Sequence, residues 1–208
     1  MDLISWIVIA LVVVIIIFAI VTYNRLVRAK AQVDESYSGI DVQLKRRASL
    51  IPNLVETVKG YAAHEKDVFE KVTEARSALM SAKSPGQSAE ANNQLTGALK
   101  SLFAVAEAYP DLKASQNFQE LQQELSDTET KVAYARQFYN TNVMNFNVLI
   151  KTFPNVLLSG PLGYHPAEFF QAEDEARQDV KVDFGSSPPP SPANSESSQP
   201  SEGTSRSK

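Results

Sequence analysis

An unbroken apolar run near the start of the chain constrains its fold more than any other feature. Leu3–Val21 contains Ser5 as its one polar side chain. A helix of about 19 residues rises roughly 28 Å, which matches the hydrocarbon core of a bilayer. Trp6 and Tyr23 lie near the two ends, where aromatic side chains favour the membrane interface. We therefore predict a transmembrane anchor in residues 1–24 that contacts the lipid bilayer through residues 3–21.

A cleaved signal peptide is the alternative interpretation of this run. Signal peptides start with a basic segment, whereas only Met1 and Asp2 precede the apolar residues. They also end at a cleavage site with small residues, and Thr22-Tyr23-Asn24 does not supply one. The flanking residues therefore favour a retained anchor.

Basic residues follow the run on its C-terminal side. Arg25, Arg28 and Lys30 come directly after it, and basic residues that flank a membrane span stay in the cytoplasm. We predict a single-pass protein whose N-terminus lies outside the cell and whose C-terminal domain is cytoplasmic.

Composition excludes several classes of function. The 208 residues carry a formal net charge of −4, whereas nucleic-acid binding favours a basic face, so we expect no nucleic acid among the partners. The absence of cysteine excludes disulfides, thiolate catalysis and most zinc and iron–sulfur sites.

After the anchor, apolar residues recur at steps of three and four, which predicts amphipathic helices. The first helix is expected to continue from the membrane without a break. Pro52 is expected to end it at a corner, because proline lacks a backbone donor and disfavours helical geometry in the preceding residue. The apolar face of this helix consists of Val33, Tyr37, Ile40, Leu44 and Ile51.

Three further helices are predicted, over residues 54–79, 88–109 and 118–153. Ser84 and Gln87 lie in the turn before the third helix and are placed to cap it. A pattern typical of a strand occurs only at residues 180–184.

Together these patterns predict an all-α fold. The N-terminal transmembrane helix continues into an elongated antiparallel four-helix bundle, which occupies residues 25–184. Residues 185–208 are rich in serine and proline and low in hydrophobicity, which predicts a disordered tail. A polyproline ligand at the start of the tail is the alternative reading.

Two polar residues interrupt the apolar seams of the predicted helices. Glu65 and Asn142 fall at positions where an apolar residue is expected. In one reading they lie at half-exposed seam edges or set the helix register. In the other they form a buried polar pocket, which would make the bundle a ligand-binding protein or an enzyme.

Basic residues cluster just before the predicted corner. Lys45, Arg46 and Arg47 are expected either to complement a helix C-terminus or to dock an acidic partner. We take the whole corner as the candidate protein-interaction surface. Its residues are Lys45, Arg46, Arg47, Asn53, Glu56 and Lys59.

The same corner carries a long, specific motif. Residues 40–47 read IDVQLKRR and residues 50–61 read LIPNLVETVKGY. Shorter matches lie at residues 72–76 and 135–140, and in the closing stretch from Phe153 to Phe184. The chain resembles the LemA family of bacterial membrane proteins in these segments, whereas the tail from residue 185 onward lies outside the resemblance.

The resemblance implies an anchor with an outward N-terminus, in the bacterial inner membrane, and a cytoplasmic helical domain. It implies no established enzymatic activity. It suggests a scaffold or adaptor for other membrane proteins, with a membrane protease as one candidate partner and envelope protein quality control or stress response as the setting. Homo-oligomerisation through the helix seams is a further expectation.

Motifs for catalysis or metal binding fail on spacing. A di-metal bundle site needs Glu-x-x-His pairs, but Tyr61 and Leu162 lie three residues before the two histidines. His64-Glu65 begins a metalloprotease motif, but Val68 stands where the second histidine belongs. A Ser–His–Asp triad has no Gly-x-Ser-x-Gly elbow to support it. We expect no cofactor, no metal and no catalysis.

The segment from Phe153 to Phe170 contains many large apolar residues among prolines and glycines. We expect Leu157, Leu158 and Leu162 to cover the end of the bundle. The alternative is an apolar lip that touches the membrane or a partner.

Overall fold

The computed structural model describes residues 2–170, and all regular secondary structure in that range is helical. The all-α prediction is therefore confirmed for this part of the chain. The strand-like pattern at residues 180–184 and the predicted tail at 185–208 lie outside the described residues. The helices are α1 (Leu3–Lys59), α2 (Lys66–Ser81), α3 (Pro85–Glu107), α4 (Pro110–Ala114), α5 (Gln116–Lys151) and α6 (Val156–Ser159).

α1 is one continuous helix that contains both the predicted anchor and the first helix of the body. Its 57 residues rise about 85 Å at 1.5 Å per residue. Within residues 2–170 it is the helix whose length and apolar composition suit a membrane span, and its most apolar stretch is not buried by the rest of the protein. Further along, Val33, Ile40 and Leu44 are buried, as the apolar pattern predicts.

The predicted corner at Pro52 is wrong, because α1 continues through Pro52 and ends at Lys59. A proline at this position leaves the carbonyl of Ala48, four residues earlier, without its helical donor. The Nε atom of Arg76 in α2 donates a hydrogen bond to that oxygen at 2.9 Å. The chain turns at residues 60–65 instead, and the second helix therefore begins at Lys66 rather than at Leu54.

The start of α3 follows the predicted capping pattern. The Ser84 hydroxyl accepts a hydrogen bond from the backbone nitrogen of Gln87 at 3.2 Å, and Pro85 occupies the first turn. Proline suits that position because backbone N–H groups in the first turn have no acceptor within the helix, so the N–H that proline lacks is not needed. The short helix α4 was not predicted, and Pro110 begins it in the same way.

α5 occupies nearly the predicted range, but its buried face departs from a strict seven-residue repeat. Val132 and Tyr139 are buried where the seam predicts. Phe146 is also buried on the predicted seam, whereas Val143 and Ile150 are buried one residue beyond the predicted Asn142 and Leu149. A straight helix of 3.6 residues per turn drifts by about 20° per heptad, so one edge of the buried face moves off the predicted positions.

The main packing pairs are α1 with α5 and α2 with α3, and α1 also contacts α2. The rings of Tyr37 and Tyr139 lie 5.7 Å apart, and a nitrogen of Arg46 lies 3.9 Å from a carboxylate oxygen of Glu124. A later residue of α1 thus contacts an earlier residue of α5.

Candidate interaction surfaces

The first two residues of the predicted basic cluster lie on the surface of α1. Lys45 forms an ion pair of 2.6 Å with Asp41, one helical turn earlier, and Arg46 lies near Glu124 of α5. The hydrogen bond to the Asp41 carboxylate raises the pKa of Lys45 above its ordinary value. Both side chains are exposed. Their role in docking an acidic partner stays a prediction.

Arg47, in contrast, lies inside the protein and is 3% exposed. One guanidinium nitrogen lies 2.5 Å from Asn92 Oδ1 of α3, and another forms an ion pair with Glu129 of α5. Arg47 therefore joins three helices, and placing it on a docking surface was wrong. Its face of α1 turns inward because residues 40, 44, 47 and 51 repeat at helical spacing.

The other predicted docking residues lie in the last turns of α1. Asn53, Glu56 and Lys59 are exposed and three residues apart, so they share the outer side of the helix. Lys59 lies 3.3 Å from Glu56, and its nitrogen stands 5.8 Å from the centroid of the Phe69 ring. Pairs of this exposed kind contribute little to stability. The surface is mixed in charge, and its docking role also stays a prediction.

Glu65 and Asn142 do not share a pocket, which corrects the alternative of one buried polar site. Glu65 is half-exposed and immediately precedes α2, just beyond the end of α1 at Lys59, and its side chain makes no capping hydrogen bond within the described residues. Asn142 lies beside Ala29 of α1. Thirty residues of helix separate those two levels of α1, or about 45 Å. No common ligand spans that distance.

Asn142 itself is half-buried and lines a groove between α1 and α5 near the apolar span. Its Nδ2 atom is buried and has no hydrogen-bond partner among the described residues. A buried donor without an acceptor is unfavourable, so this position differs from an ordinary seam edge.

α5 carries a second apolar face, which the seam pattern did not predict. Tyr134 and Phe138 are 70% and 62% exposed, and Met144 and Val148 are also exposed. At 100° per residue these four positions fall within about 120° of the helix circumference, roughly opposite the buried face. We call them the α5 outer stripe. Their signal in the sequence was large apolar residues at positions off the seam.

A groove of about 620 Å³ runs beside the α5 outer stripe. Tyr134 and Met144 line it, together with Asn140 and with Phe169 from the segment after α6. The stripe is therefore a shaped surface rather than a set of scattered apolar residues.

Asn140 and Asn147 of α5 hold the segment after α6 in place, and we call them the clamping asparagines. The side-chain amide of Asn140 donates to the carbonyl of Phe170 and accepts from its backbone nitrogen, each at 2.9 Å. Asn147 makes the same pair of bonds with Ala167, at 2.9 and 2.7 Å. These four bonds position Phe169 beside the stripe and bury Phe170 completely.

Tyr139 adds a third attachment to the same segment. Its hydroxyl donates to the carbonyl of Glu168 at 2.7 Å. Burial raises the pKa of Tyr139 to about 12, and the negative charge of Glu168 contributes to the shift, as do smaller effects of Tyr37 and Asp34. Tyr139 is thus held neutral as a hydrogen-bond donor.

The segment after α5 covers the bundle only in part. Phe153 and Leu157 are 79% and 63% exposed, and Leu162 is exposed as well. Leu158 is half-buried, Tyr164 packs against Phe146, and Phe170 is buried. Asn155 and Ser159 are buried too. The polar side chains turn inward because they satisfy carbonyls at the end of α5, those of Leu149 and Ile150.

We searched residues 2–170 for groups of side chains that could bind a metal ion. No three histidine, aspartate or glutamate side chains in that range group as ligands for a metal ion. The grooves described above are open and lined by amides, basic side chains and apolar residues.

A comparison with protein families identifies the family of the chain. The family model described as the LemA family matches residues 36–184. The chain belongs to the LemA family. The matched range contains Arg47, the α5 outer stripe and both clamping asparagines.

Named relatives agree with this placement. The chain is 29% identical to Protein LemA of Metamycoplasma hominis, in an alignment that covers 76% of this chain and 72% of that protein. It is 25% identical to Magnetosome protein MamQ 2 of Paramagnetospirillum magneticum and 24% identical to Magnetosome protein MamQ of Magnetospirillum gryphiswaldense. Those two alignments cover 72% and 71% of this chain and 64% of each magnetosome protein, so the chain spans just under two thirds of their length.

Proposed function

We propose that this LemA-family chain is a membrane-tethered helical scaffold that presents the α5 outer stripe to another membrane protein. The observation that carries the proposal is the second apolar face of α5. Tyr134 and Phe138 are largely exposed in a helix whose opposite face is already filled by core residues. Exposed apolar patches with polar surroundings are typical of protein interaction sites.

The occupant that fits this stripe is a helix of a second membrane protein. From Tyr134 to Val148 the stripe extends about 21 Å along α5, the length of four helical turns. Large apolar residues at helical spacing suit an amphipathic partner helix. A partner in the same membrane gains from tethering, because the shared bilayer raises its effective concentration at the stripe. A membrane protease is one such candidate.

The proposed arrangement places the anchor in the bacterial inner membrane and the body in the cytoplasm. Support comes from Arg25, Arg28 and Lys30, which follow the apolar span directly. Later residues of α1 contact earlier residues of α5, which supports an antiparallel bundle for the body. The role is non-catalytic and is set in envelope protein quality control or stress response.

Photocrosslinking in native membranes tests the scaffold role. A benzoylphenylalanine at Phe138 is expected to give a defined crosslink to a second membrane protein, identified by mass spectrometry. The same probe at Gln94, an exposed residue of α3, serves as the control and is expected to give none. Equal crosslinking at both positions, or none at Phe138, would overturn the proposal.

Self-association is the competing outcome of the same experiment. If Phe138 crosslinks only to a second copy of the chain, the stripe is a homo-oligomer interface and the heterologous scaffold role fails. Tyr134→Glu with Met144→Glu, with the probe kept at Phe138, tests whether the stripe itself makes the contact. The double variant should stay folded, since both side chains are exposed, and should lose the crosslink to the second membrane protein.

Topology has its own test, because the chain has no cysteine. Ser101→Cys places a single thiol on an exposed turn of α3. We expect a membrane-impermeant maleimide to label it in inside-out vesicles and to leave it unlabelled in intact cells with a permeabilised outer membrane. Labelling of intact cells would reverse the proposed orientation.

A further inference from the structure

A groove of about 550 Å³ lies between α1 and α5 where the apolar span ends. Arg25 and Arg28 of α1 line it, facing Asn142 and Asn145 of α5. Val21, the last residue of the apolar run, lines the same groove. The groove therefore begins where the hydrocarbon core of a bilayer would end.

The groove is basic and its charge is not neutralised. Among the described residues, its lining contains two arginines and no carboxylate. Within residues 2–170, neither Arg25 nor Arg28 forms an ion pair, whereas nearby Lys30 is paired with Asp34 at 2.5 Å. Two guanidinium groups one helical turn apart form a site suited to an anion, because each offers several donors in a fixed plane.

Asn142 provides a second and independent observation at the same place. Its Nδ2 donor is buried and has no acceptor among the described residues. Buried donors are nearly always paired, so this amide is unfavourable where it lies and gains a partner if it turns toward the groove that Asn142 lines with the two arginines. An anion in the groove would then accept hydrogen bonds from the turned amide and from both guanidinium groups.

The distance of the groove from the hydrocarbon core favours a lipid phosphate over a soluble anion. Arg25 and Arg28 lie four and seven residues beyond Val21, about 6 and 10 Å along the helix axis. The polar headgroup layer of a bilayer is about 5–8 Å thick on each side of the hydrocarbon core. Arginine side chains can reach back toward the membrane by snorkelling, so both guanidinium groups lie within reach of lipid phosphates.

The loop after α5 continues this membrane-facing surface. Leu149, near the end of α5, shares the groove with Val21, and α6 packs against α1. Phe153 and Leu157 are exposed at this end of the protein. An apolar loop beside a basic groove is the arrangement that suits acyl chains next to anionic headgroups.

We propose that this groove binds the headgroup of an anionic phospholipid. The two guanidinium groups hold the phosphate, and Asn142 donates to one of its oxygens. The bound lipid would fix the height of the body above the membrane. The inference rests on the membrane tethering of the proposed function but not on the protein partner at the α5 outer stripe.

Lipid retention by the full-length protein tests the proposal. The protein is reconstituted in nanodiscs that contain phosphatidylcholine and phosphatidylglycerol in equal amounts, extracted in a mild detergent, and analysed by native mass spectrometry. We expect phosphatidylglycerol to be retained over phosphatidylcholine by at least tenfold. Equal retention of the two lipids would overturn the proposal.

Three variants separate a built site from general attraction between basic residues and anionic lipids. Arg25→Gln with Arg28→Gln should lower phosphatidylglycerol retention at least tenfold. Asn142→Leu changes no charge and should lower it severalfold, which general attraction does not predict. Lys30→Gln removes one charge at the same height but outside the groove, and should leave retention unchanged. A Lys30 effect as large as that of the arginines would overturn the proposal, as would unchanged retention in Asn142→Leu.

Inorganic phosphate distinguishes a lipid from a soluble anion. Addition of about 10 mM inorganic phosphate should not displace the lipid, because the acyl chains of the lipid also contact the apolar loop. Full displacement would assign the groove to a soluble phosphate and overturn the lipid proposal. Circular dichroism of every variant establishes that it is folded. Crosslinking at Phe138 is read separately, so failure of the lipid site and failure of the scaffold role remain distinct results.

Discussion

Arg76 of α2 compensates for Pro52 of α1. The proline leaves the Ala48 carbonyl without its helical donor, and the Arg76 Nε atom donates to that carbonyl at 2.9 Å. A residue 24 positions further along the chain thus allows α1 to remain helical up to Lys59.

The two residues are therefore expected to be coupled. Arg76→Met should lower the free energy of unfolding by about 1–2 kcal/mol, because it leaves the Ala48 carbonyl unpaired. In the Pro52→Ala background a backbone N–H replaces the lost donor, so the same change should have a smaller effect. Thermal unfolding of the four variants, followed by circular dichroism in detergent micelles, measures the coupling. Equal effects of Arg76→Met in both backgrounds would contradict the compensation.

Two neighbouring arginines should differ strongly in their effect on stability. Arg47→Ala removes a buried cation that contacts Asn92 and Glu129, and we expect it to lower the free energy of unfolding by about 2–4 kcal/mol. Arg46→Ala removes an exposed side chain and should change it by less than about 1 kcal/mol. Chemical denaturation of both variants checks the difference. A large loss in Arg46→Ala would contradict the structural assignment.

Removal of either clamping asparagine should release the segment beside the α5 outer stripe. Asn140→Ala loses two hydrogen bonds to Phe170, and we expect a loss of about 1–3 kcal/mol. Limited proteolysis should then cut within residues 164–170 faster than in the unmodified protein. Gln137→Ala, at an exposed position one helical turn away, is the matched control and should leave the cleavage rate unchanged.

The raised pKa of Tyr139 predicts a loss of stability in alkaline solution. The folded protein favours the neutral hydroxyl, with a pKa of about 12, whereas an unfolded tyrosine has a pKa of about 10. The resulting stabilisation is complete below pH 10 and decreases as the pH rises towards 12. We expect Tyr139→Phe to be less stable at pH 8, since the bond to Glu168 is lost, and to lose less stability between pH 9 and pH 11.5. Tyr134→Phe, at an exposed position, should keep the slope of the unmodified protein.

The apolar loop should tolerate polar substitution without unfolding. Phe153→Ser with Leu157→Ser changes exposed side chains, so the free energy of unfolding in detergent should change by less than about 0.5 kcal/mol per site. Phe146→Ala, which empties a buried position, should lower it by about 3–5 kcal/mol. A double serine variant as unstable as Phe146→Ala would mean that Phe153 and Leu157 cover the bundle.

Local patterns predicted the parts of the fold that depend on local physics. The apolar run, the capping by Ser84 and Gln87, and the extent of α5 follow from residues close together in the chain. Pro52 was read as a helix end because its compensating donor comes from Arg76, a distant residue that no local rule includes. Glu65 was read as a seam residue because the seven-residue spacing continued across residues 60–65, where the chain turns.

The candidate surfaces were harder to predict for a similar reason. Lys45, Arg46 and Arg47 are alike in sequence, and only the position of Asn92 and Glu129 makes the third an internal residue. The α5 outer stripe was missed because the seam accounted for one apolar face, and a second face is not expected of a bundle helix. Asn142 interrupts the apolar seam in the sequence, but only the fold shows that its neighbours are the basic residues beside the apolar span rather than Glu65.

Because α1 is continuous, the membrane span also sets the rotational orientation of the body about the helix axis. One residue inserted between Val21 and Thr22 would turn the whole body by about 100° around the helix axis and lift it by about 1.5 Å. The α5 outer stripe would then point toward a different neighbour in the plane of the membrane. The number of residues in the apolar span thus sets the azimuth at which the protein meets its surroundings, in addition to the depth of its anchor.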